Sequence, residues 1–194
     1  MKIKAHKILL NSKKKNFIVT IVIGEKYLKQ WNEYAAPLWK KYCIKNDIGL
    51  IIIKDNLIEK SNFFWKKAVW QKMLVGEYLT KNEKKINNVC LLDSDILINP
   101  FSPNIFEFHN ESKFSVISEI FNLPFNLERV KKKLAFNRNF FYNKRYPLDS
   151  ALFMNPKEKF KFHNFKNQKN YFCSGVIVFN LKKFSKKMKN WFFK

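Results

Sequence analysis

Glycine is scarce in this chain: Gly24, Gly49, Gly76 and Gly175 are all that 194 residues contain. Neither G-x-G-x-x-G nor G-x-x-x-x-G-K-[ST] can be written from them, which removes the dinucleotide fold's and the P-loop's ways of cradling phosphate. Any phosphate bound here has to be met by a metal or by Lys and Arg side chains. Cysteine is equally sparse. Cys43, Cys90 and Cys173 stand far apart in apolar surroundings without C-x-x-C spacing, so zinc and a disulfide framework are not expected. Buried thiols in a reducing cytosol are the expectation. The three histidines, His6, His109 and His163, are scattered and read as surface residues rather than ligands. No G-x-S-x-G elbow or reactive-cysteine motif is present. No apolar run approaches the roughly 18 residues that span a bilayer, and the first eleven residues hold no apolar stretch long enough for a signal peptide. A cytoplasmic protein follows, with peripheral membrane contact as the one membrane role left open.

Arginine is nearly missing too. Arg129, Arg138 and Arg145 are the only three, although Lys and Arg together number 38 against 15 acidic residues, a net charge of +23. Arginine is the side chain suited to bidentate contact with bases and phosphates. A charge made almost wholly of Lys spread along the chain is therefore read as a solvated surface, with no specific nucleic-acid partner; a basic nucleic-acid-binding protein is the alternative that the scarcity of Arg tells against. Lys, Asn, Ile, Phe and Tyr are enriched together, as A/T-rich codons produce. The basic field still favours anionic ligands, including nucleotide diphosphates and acidic lipid surfaces.

What the chain does have is core. Hydrophobic residues make up 46 % and aromatics 17 %, enough for one well-filled domain at this length. Phe17 to Ile23 is a continuous β-branched run, a strand buried on both faces. After Gly24, the residues Leu28, Trp31, Ala35, Leu38 and Tyr42 recur at helical spacing, with Pro37 breaking the helix or opening a second one. Gly49 to Ile53 is a second buried strand, and strand–helix–strand in about forty residues is a βαβ unit built on a parallel sheet. A helix is expected from Phe64 to Leu79, with stripes of Trp65, Val69, Met73 and Trp70, Leu74, Tyr78. A short helix at Asn104 to Phe108 and a strand at Phe114 to Glu119 follow. Residues 120–170 lack a clean period apart from an amphipathic helix around Leu127, Val130 and Leu134, and read as a long aromatic-rich excursion. Tyr171 to Asn180 is a last buried strand, with Ser174-Gly175 near its start either a bulge or a place where a ligand approaches the backbone. Leu181, Phe184, Met188 and Trp191 then stripe a Lys-rich helix that either packs on the sheet or lies on a membrane surface.

One stretch carries chemistry. In Asn88-Val-Cys-Leu-Leu-Asp93-Ser94-Asp95-Ile-Leu-Ile-Asn-Pro100, two carboxylates one residue apart interrupt an apolar run. Side chains two apart in a strand share a face, so Asp93 and Asp95 can act on one partner. A pair of acceptor-only groups suits a hard cation such as Mn2+ or Mg2+. The alternative is that one Asp caps a helix and the other pairs with Lys or Arg.

In order, the first β-branched strand, the helix holding Ala68-Val69-Trp70-Gln71-Lys72, the Leu-Leu-Asp-Ser-Asp-Ile strand and the Phe-Cys-Ser-Gly-Val-Ile-Val-Phe-Asn strand resemble GT-A-fold nucleotide-sugar glycosyltransferases. The galactosyl-, xylosyl- and mannosyltransferase group with a D-x-D motif is the nearest flavour, over residues 16–119 and 171–181. The resemblance implies a single α/β domain of 1–194 with a mostly parallel sheet. Within it, 16–119 is the nucleotide and metal part, 120–170 an acceptor-side excursion, and 171–194 the closing strand and helix. It further implies sugar transfer from a UDP- or GDP-linked donor to a glycan, lipid or protein acceptor with Mn2+ or Mg2+. Asp93 and Asp95 would hold the metal and carry the chemistry. Thr20, Val22, Lys72 and Ser94 would contact the nucleotide sugar. Glu119, Ser174 and Gly175 would wall the sugar and acceptor side. Thr20 reads equally as a core residue and Lys72 as a surface lysine.

Relatives of that group continue beyond the position of Asn180, and many take a third metal ligand, often His, from there. A site completed by donor oxygens and water, or a sugar-nucleotide-binding remnant without turnover, are the two implied outcomes. Glu119 and Asp149 are candidate bases for an inverting enzyme. Glycoside hydrolysis fits poorly, because it needs carboxylates roughly 5–9.5 Å apart on either side of a sugar.

Overall fold

The computed structural model describes residues 5–118, 127–141, 153–166 and 172–194. The apolar runs of the sequence are strands of one six-stranded sheet: β1 (His6–Leu10), β2 (Asn16–Ile21), β3 (Gly49–Ile53), β4 (Asn88–Leu92), β5 (Ser115–Ser118) and β6 (Phe172–Asn180). Their order across the sheet is β1-β3-β2-β4-β6-β5. β2 is parallel to both β3 and β4, whereas β1 pairs antiparallel with β3 and β6 antiparallel with β4. The parallel pairs therefore sit centrally within a mixed sheet. All five residues of β3 and of β4 are buried, which is why β3 and Val89–Leu92 of β4 read as uninterrupted hydrophobic runs.

Two crossovers run in opposite directions along the sheet, one leaving β2 and the other leaving β3 and passing over β2 to reach β4. The first, from β2 to β3, is α1 (Glu25–Gln30), a π-helical turn (Trp31–Ala35) and α2 (Ala36–Asn46); the second, from β3 to β4, is α3 (Ala68–Asn82). Right-handed crossovers running opposite ways lie on opposite faces, and the core divides accordingly. Ile18, Leu50, Ile52, Cys90 and Leu92 cluster with Trp31, Ala35, Trp39, Tyr42 and Cys43. The alternate residues Val19, Ile51, Ile53, Val89 and Leu91 cluster with Val75 and Leu79 of α3 and with Leu181 and Met188 of α6 (Leu181–Phe192). Gly49 is required by its neighbour across the sheet: a Cβ there would fall inside the ring of Phe17, its register partner in β2.

Several elements differ from the sequence reading. Pro37 opens α2 within its first turn, and the π-helical turn before it absorbs the register change that the missing N–H imposes. β1 was not expected; two basic residues in an edge strand mask its alternation. α3 starts four residues later than expected and buries Gln71, Lys72, Leu74, Val75, Gly76 and Leu79, leaving Val69 and Trp70 exposed. The interior amide of Gln71 is fully engaged. Its Oε1 accepts from the Leu57 N–H at 2.7 Å, and its Nε2 donates to Asn56 Oδ1 at 2.8 Å and to the Lys66 carbonyl at 2.9 Å. The interior stripe of α6 is Leu181, Ser185, Met188 and Phe192, one position off the expected set at two sites. Ser185 is interior because α3 approaches closely: a Cβ on Gly76 would lie 2.7 Å from Ser185 Oγ and 3.0 Å from its Cα. This helix is packed, not laid on a bilayer, along that stripe. His6 is buried, with ring nitrogens 2.7 Å from the Tyr78 hydroxyl and 2.9 Å from Glu83 Oε1, a correction to its surface reading.

The chain divides into two compact units, residues 1–116 with 175–194, and residues 117–174. The second contains α4 (Leu127–Phe141) and α5 (Pro156–Phe162). α5 is started by a capping box in which Asn155 Oδ1 accepts from the Glu158 N–H and Glu158 accepts from that of Asn155. Among the described residues no helix is long and apolar enough to cross a membrane.

Candidate functional site

β4 delivers the Asp-Ser-Asp segment to the carboxyl end of the sheet. Pairing with β6 runs without a register break to Leu92 opposite Val176 and continues one bond further, the Asp93 N–H donating to the Gly175 carbonyl at 3.0 Å. The strand then stops. Ile96 N–H donates back to the Asp93 carbonyl at 3.2 Å, so Ser94 and Asp95 are the central residues of a turn. This corrects the reading of both carboxylates as members of one strand: their common orientation comes from a strand end plus a turn. Trp39, fully buried, clamps the outgoing chain by donating its indole N–H to the Ile96 carbonyl at 2.8 Å.

The turn forms one wall of a cavity of about 740 Å³. Its floor is Val19 and Ile21 of β2 with Leu91 and Leu92 of β4; its sides are Tyr27, Gln30, Trp31 and Tyr34 from the first crossover, and Ala68, Val69 and Lys72 from α3. Because the β2–β3 and β3–β4 crossovers run in opposite directions on opposite faces, a crevice opens at the carboxyl ends of the neighbouring strands β2 and β4, where open α/β sheets take their ligands. Trp31 stands edge-on to Trp39, centroids 5.7 Å apart, which ties the aromatic side of the cavity to the clamp on the turn.

Among the described residues, charge in the cavity comes from three side chains. Asp95 is exposed, Asp93 is half-buried, and Lys72 is only 7 % exposed. The Lys72 ammonium is ion-paired with Asp93 Oδ1. One carboxylate thus has a cation and the other faces the opening. The buried thiols contribute no nucleophile, since burial pushes Cys43 up to about 12 and raises Cys90 further.

The profile of glycosyl transferase family 8 matches residues 3–189. The chain belongs to glycosyl transferase family 8. Members of that family are in general divalent-metal dependent, with nucleotide-sugar donors and glycan acceptors. A crystal structure of a glycosyltransferase involved in the glycosylation of the major capsid of PBCV-1 is similar over 92 % of this chain and 98 % of that one, with 11 % identity and a TM-score of 0.39. No curated protein matches the chain.

Within this family 8 chain, Lys72, Asp93, Ser94 and Asp95 line one cavity. Thr20 and Val22 do not line it. They lie on the opposite alternation of β2 from Val19 and Ile21; Val22 is in the core under the first crossover, and Thr20 Oγ1 is buried without a hydrogen-bond partner. Gly175 reaches the site through its carbonyl, as the acceptor for Asp93. Ser174 is exposed and belongs to the second unit. Glu119 and Asp149 lie outside the described residues. Tyr27, Gln30, Trp31 and Tyr34 were not anticipated. Their signal was a second row spaced i, i+3, i+4, i+7 beside the core stripe Leu28, Ala35 and Leu38.

The donor set can be tested against a divalent cation. Among the described residues no group of three His, Cys, Asp or Glu converges. Two carboxylates at the mouth of a cavity are what Mg2+ or Mn2+ uses when substrate phosphates and water supply the other oxygens. Asp93 and Asp95 fit that arrangement.

Proposed function

We propose that this family 8 protein transfers a sugar from a nucleotide-diphosphate donor, UDP- or GDP-linked, and that the donor occupies the cavity bounded by Lys72, Asp93 and Asp95. The observation that carries the reading is the convergence of those three side chains at the carboxyl ends of β2 and β4. Asp93 and Asp95 would hold Mn2+ or Mg2+ against the diphosphate. When bound, such a cation stabilises the charge that grows on the departing phosphate. Lys72, buried and ion-paired with Asp93, supplies a second positive charge on the same side. Tyr27 and Tyr34, both exposed, provide flat surfaces on which a base or ribose can stack, and Gln30 offers both donor and acceptor atoms. The floor of Val19, Ile21, Leu91 and Leu92 gives the cavity an apolar base beneath the reacting end.

A glycan, lipid or protein hydroxyl is the proposed acceptor, and Glu119, Ser174 and Gly175 are the residues proposed to contact the sugar and acceptor. Thr20 and Val22 would act beneath the nucleotide, as support for Val19 and Ile21, and Ser94 through the turn.

Calorimetric titration with UDP and with GDP, with and without Mn2+, tests the reading. Binding that needs Mn2+ in the wild type and disappears in Asp95→Ala is the expected result; equal binding by both proteins removes the metal assignment. Nucleotide release from a UDP- or GDP-sugar then separates an enzyme from a binding remnant.

A further inference from the structure

The cavity already contains a cation of its own. Lys72 is in the second turn of α3, is buried to more than nine-tenths, and places its ammonium on Oδ1 of Asp93. α3 cannot withdraw from this position without opening the core. Val75 and Leu79 on the same helix pack beneath β2 and β4, and Gly76 lies against Ser185 of α6 with no room for a methyl group. What can move is the flexible four-carbon stem of the lysine. Asp93 is held in place at its backbone by the bond to Gly175 and by the turn to Ile96.

We infer that Lys72 keeps the metal's place on Asp93 while the donor is absent, so that a divalent cation and the diphosphate enter together and not one before the other. The inference rests on the reading of the cavity as a metal–diphosphate site. An ammonium and a divalent cation on one carboxylate repel each other, and the burial of the Lys72 side chain leaves that repulsion less screened than at a free surface. Asp95 alone, exposed at the mouth, is a weak monodentate site. A diphosphate changes the balance. It brings oxygens that complete the cation's coordination, and it offers the ammonium new anionic partners within reach of the same stem. Lys72 is thus a positioning residue that links the metal to the nucleotide. Free metal is kept from occupying an empty site, and the site's charge stays close to balanced in both states.

The test is Mn2+ affinity of the full chain, read from the electron paramagnetic resonance signal of free Mn2+, with no substrate turnover involved. Wild type, Lys72→Met and Lys72→Arg are compared, each with and without UDP and GDP, and each checked for native circular dichroism. Wild type is expected to bind Mn2+ weakly alone and much more tightly with nucleotide. Lys72→Met is expected to bind Mn2+ alone at least about tenfold more tightly than wild type, the scale on which one neighbouring charge alters a carboxylate's affinity for a proton. Its gain from added nucleotide should shrink. Lys72→Arg, which retains the charge, should keep the wild-type dependence. If wild type binds Mn2+ only with nucleotide and Lys72→Met does the same, the place-holding role is overturned while the metal–nucleotide site survives. If Lys72→Met fails to fold, Lys72→Gln takes its place under the same criterion. If no protein binds Mn2+ under any condition, the parent reading and this one fall together.

Discussion

At the amino end of β4, Asn88 donates to Asn16 Oδ1 at 3.0 Å and to Glu111 Oε1 at 2.6 Å, and its own Oδ1 accepts from Asn180 at 3.0 Å. At the carboxyl end, five residues on, Asp93 has one cationic partner and Asp95 faces the cavity. Both ends place polar groups against a buried sheet. The amino end closes the hydrogen bonds of the Asn88 amide among side chains of β2 and β6 and Glu111 of the turn before β5, so that amide is satisfied without any ligand. The carboxyl end leaves charge facing a cavity of about 740 Å³. A closed polar network is a device for holding strands in register, whereas an open one is a place to bind.

Helix α3 repeats the division. Its first turns give Ala68, Val69 and Lys72 to the cavity, and its later turns give Val75, Gly76 and Leu79 to the core. One strand and one helix therefore each carry an end that lines the cavity and an end that packs in the core.

The comparison is broken most severely by Asp95→Ala. Loss of an exposed carboxylate from the open end should lower donor turnover by about 10²–10³-fold, the scale for removing one preorganised electrostatic contact. The melting temperature should move by only about 1–2 °C, since exposed substitutions rarely cost more than about 0.5 kcal/mol. Asn88→Leu should do the reverse. It strands Asn180, Asn16 and Glu111 and should cost about 2–4 kcal/mol in urea unfolding, while the folded fraction still binds nucleotide. An Asn88→Leu protein of normal stability that had lost nucleotide binding would invert the assignment of the two ends.

Gly76→Ala probes the structural half of α3. The added methyl has to displace Ser185, including its Cα, so a loss of about 1–3 kcal/mol is expected from overpacking, read as a lower urea midpoint. The smallest effect is expected at Glu77. Lys81, 3.1 Å away on α3, and Lys189, 3.2 Å away on α6, hold its carboxyl below the usual range. A depressed folded-state value adds stability above the unfolded-state value, and that stability is lost as pH falls through the folded one. Glu77→Gln should therefore cost a few tenths of a kcal/mol, about 0.3, at pH 7. In melting curves against pH, the gap from wild type should close progressively below about pH 4.5, the range in which Glu77 itself gains its proton.

The strands were legible wherever burial was complete. Gly49 to Ile53 and the run before Asp93 are apolar at every buried position, and continuous runs need no tertiary information to be seen. β1 was hidden because His6 and Lys7 look like part of a basic terminus, although His6 is buried between Tyr78 and Glu83. The carboxylate pair was legible as a pair, but its turn was not. Asp, Ser and Asp fit a turn, while the apolar residues Ile96 to Ile98 beyond them fit a longer strand equally well. The aromatic side of the cavity was overlooked because helical aromatics beside a core stripe are usually assigned to the core.

Local composition and periodicity by themselves determined the α/β class, the two crossovers, the buried strands and the presence of two acidic side chains at the end of one of them. Those properties depend on which residues are apolar and on how often they recur, and both are written along the chain. Only the tertiary structure decided that Lys72, twenty-one residues before Asp93, is its partner, that Tyr27 and Tyr34 face the same cavity, and that Ser185 and not Phe184 lies inside α6. Each of these follows from how closely two elements approach. That distance is set by small residues such as Gly76 and by the strand order, which no single segment carries.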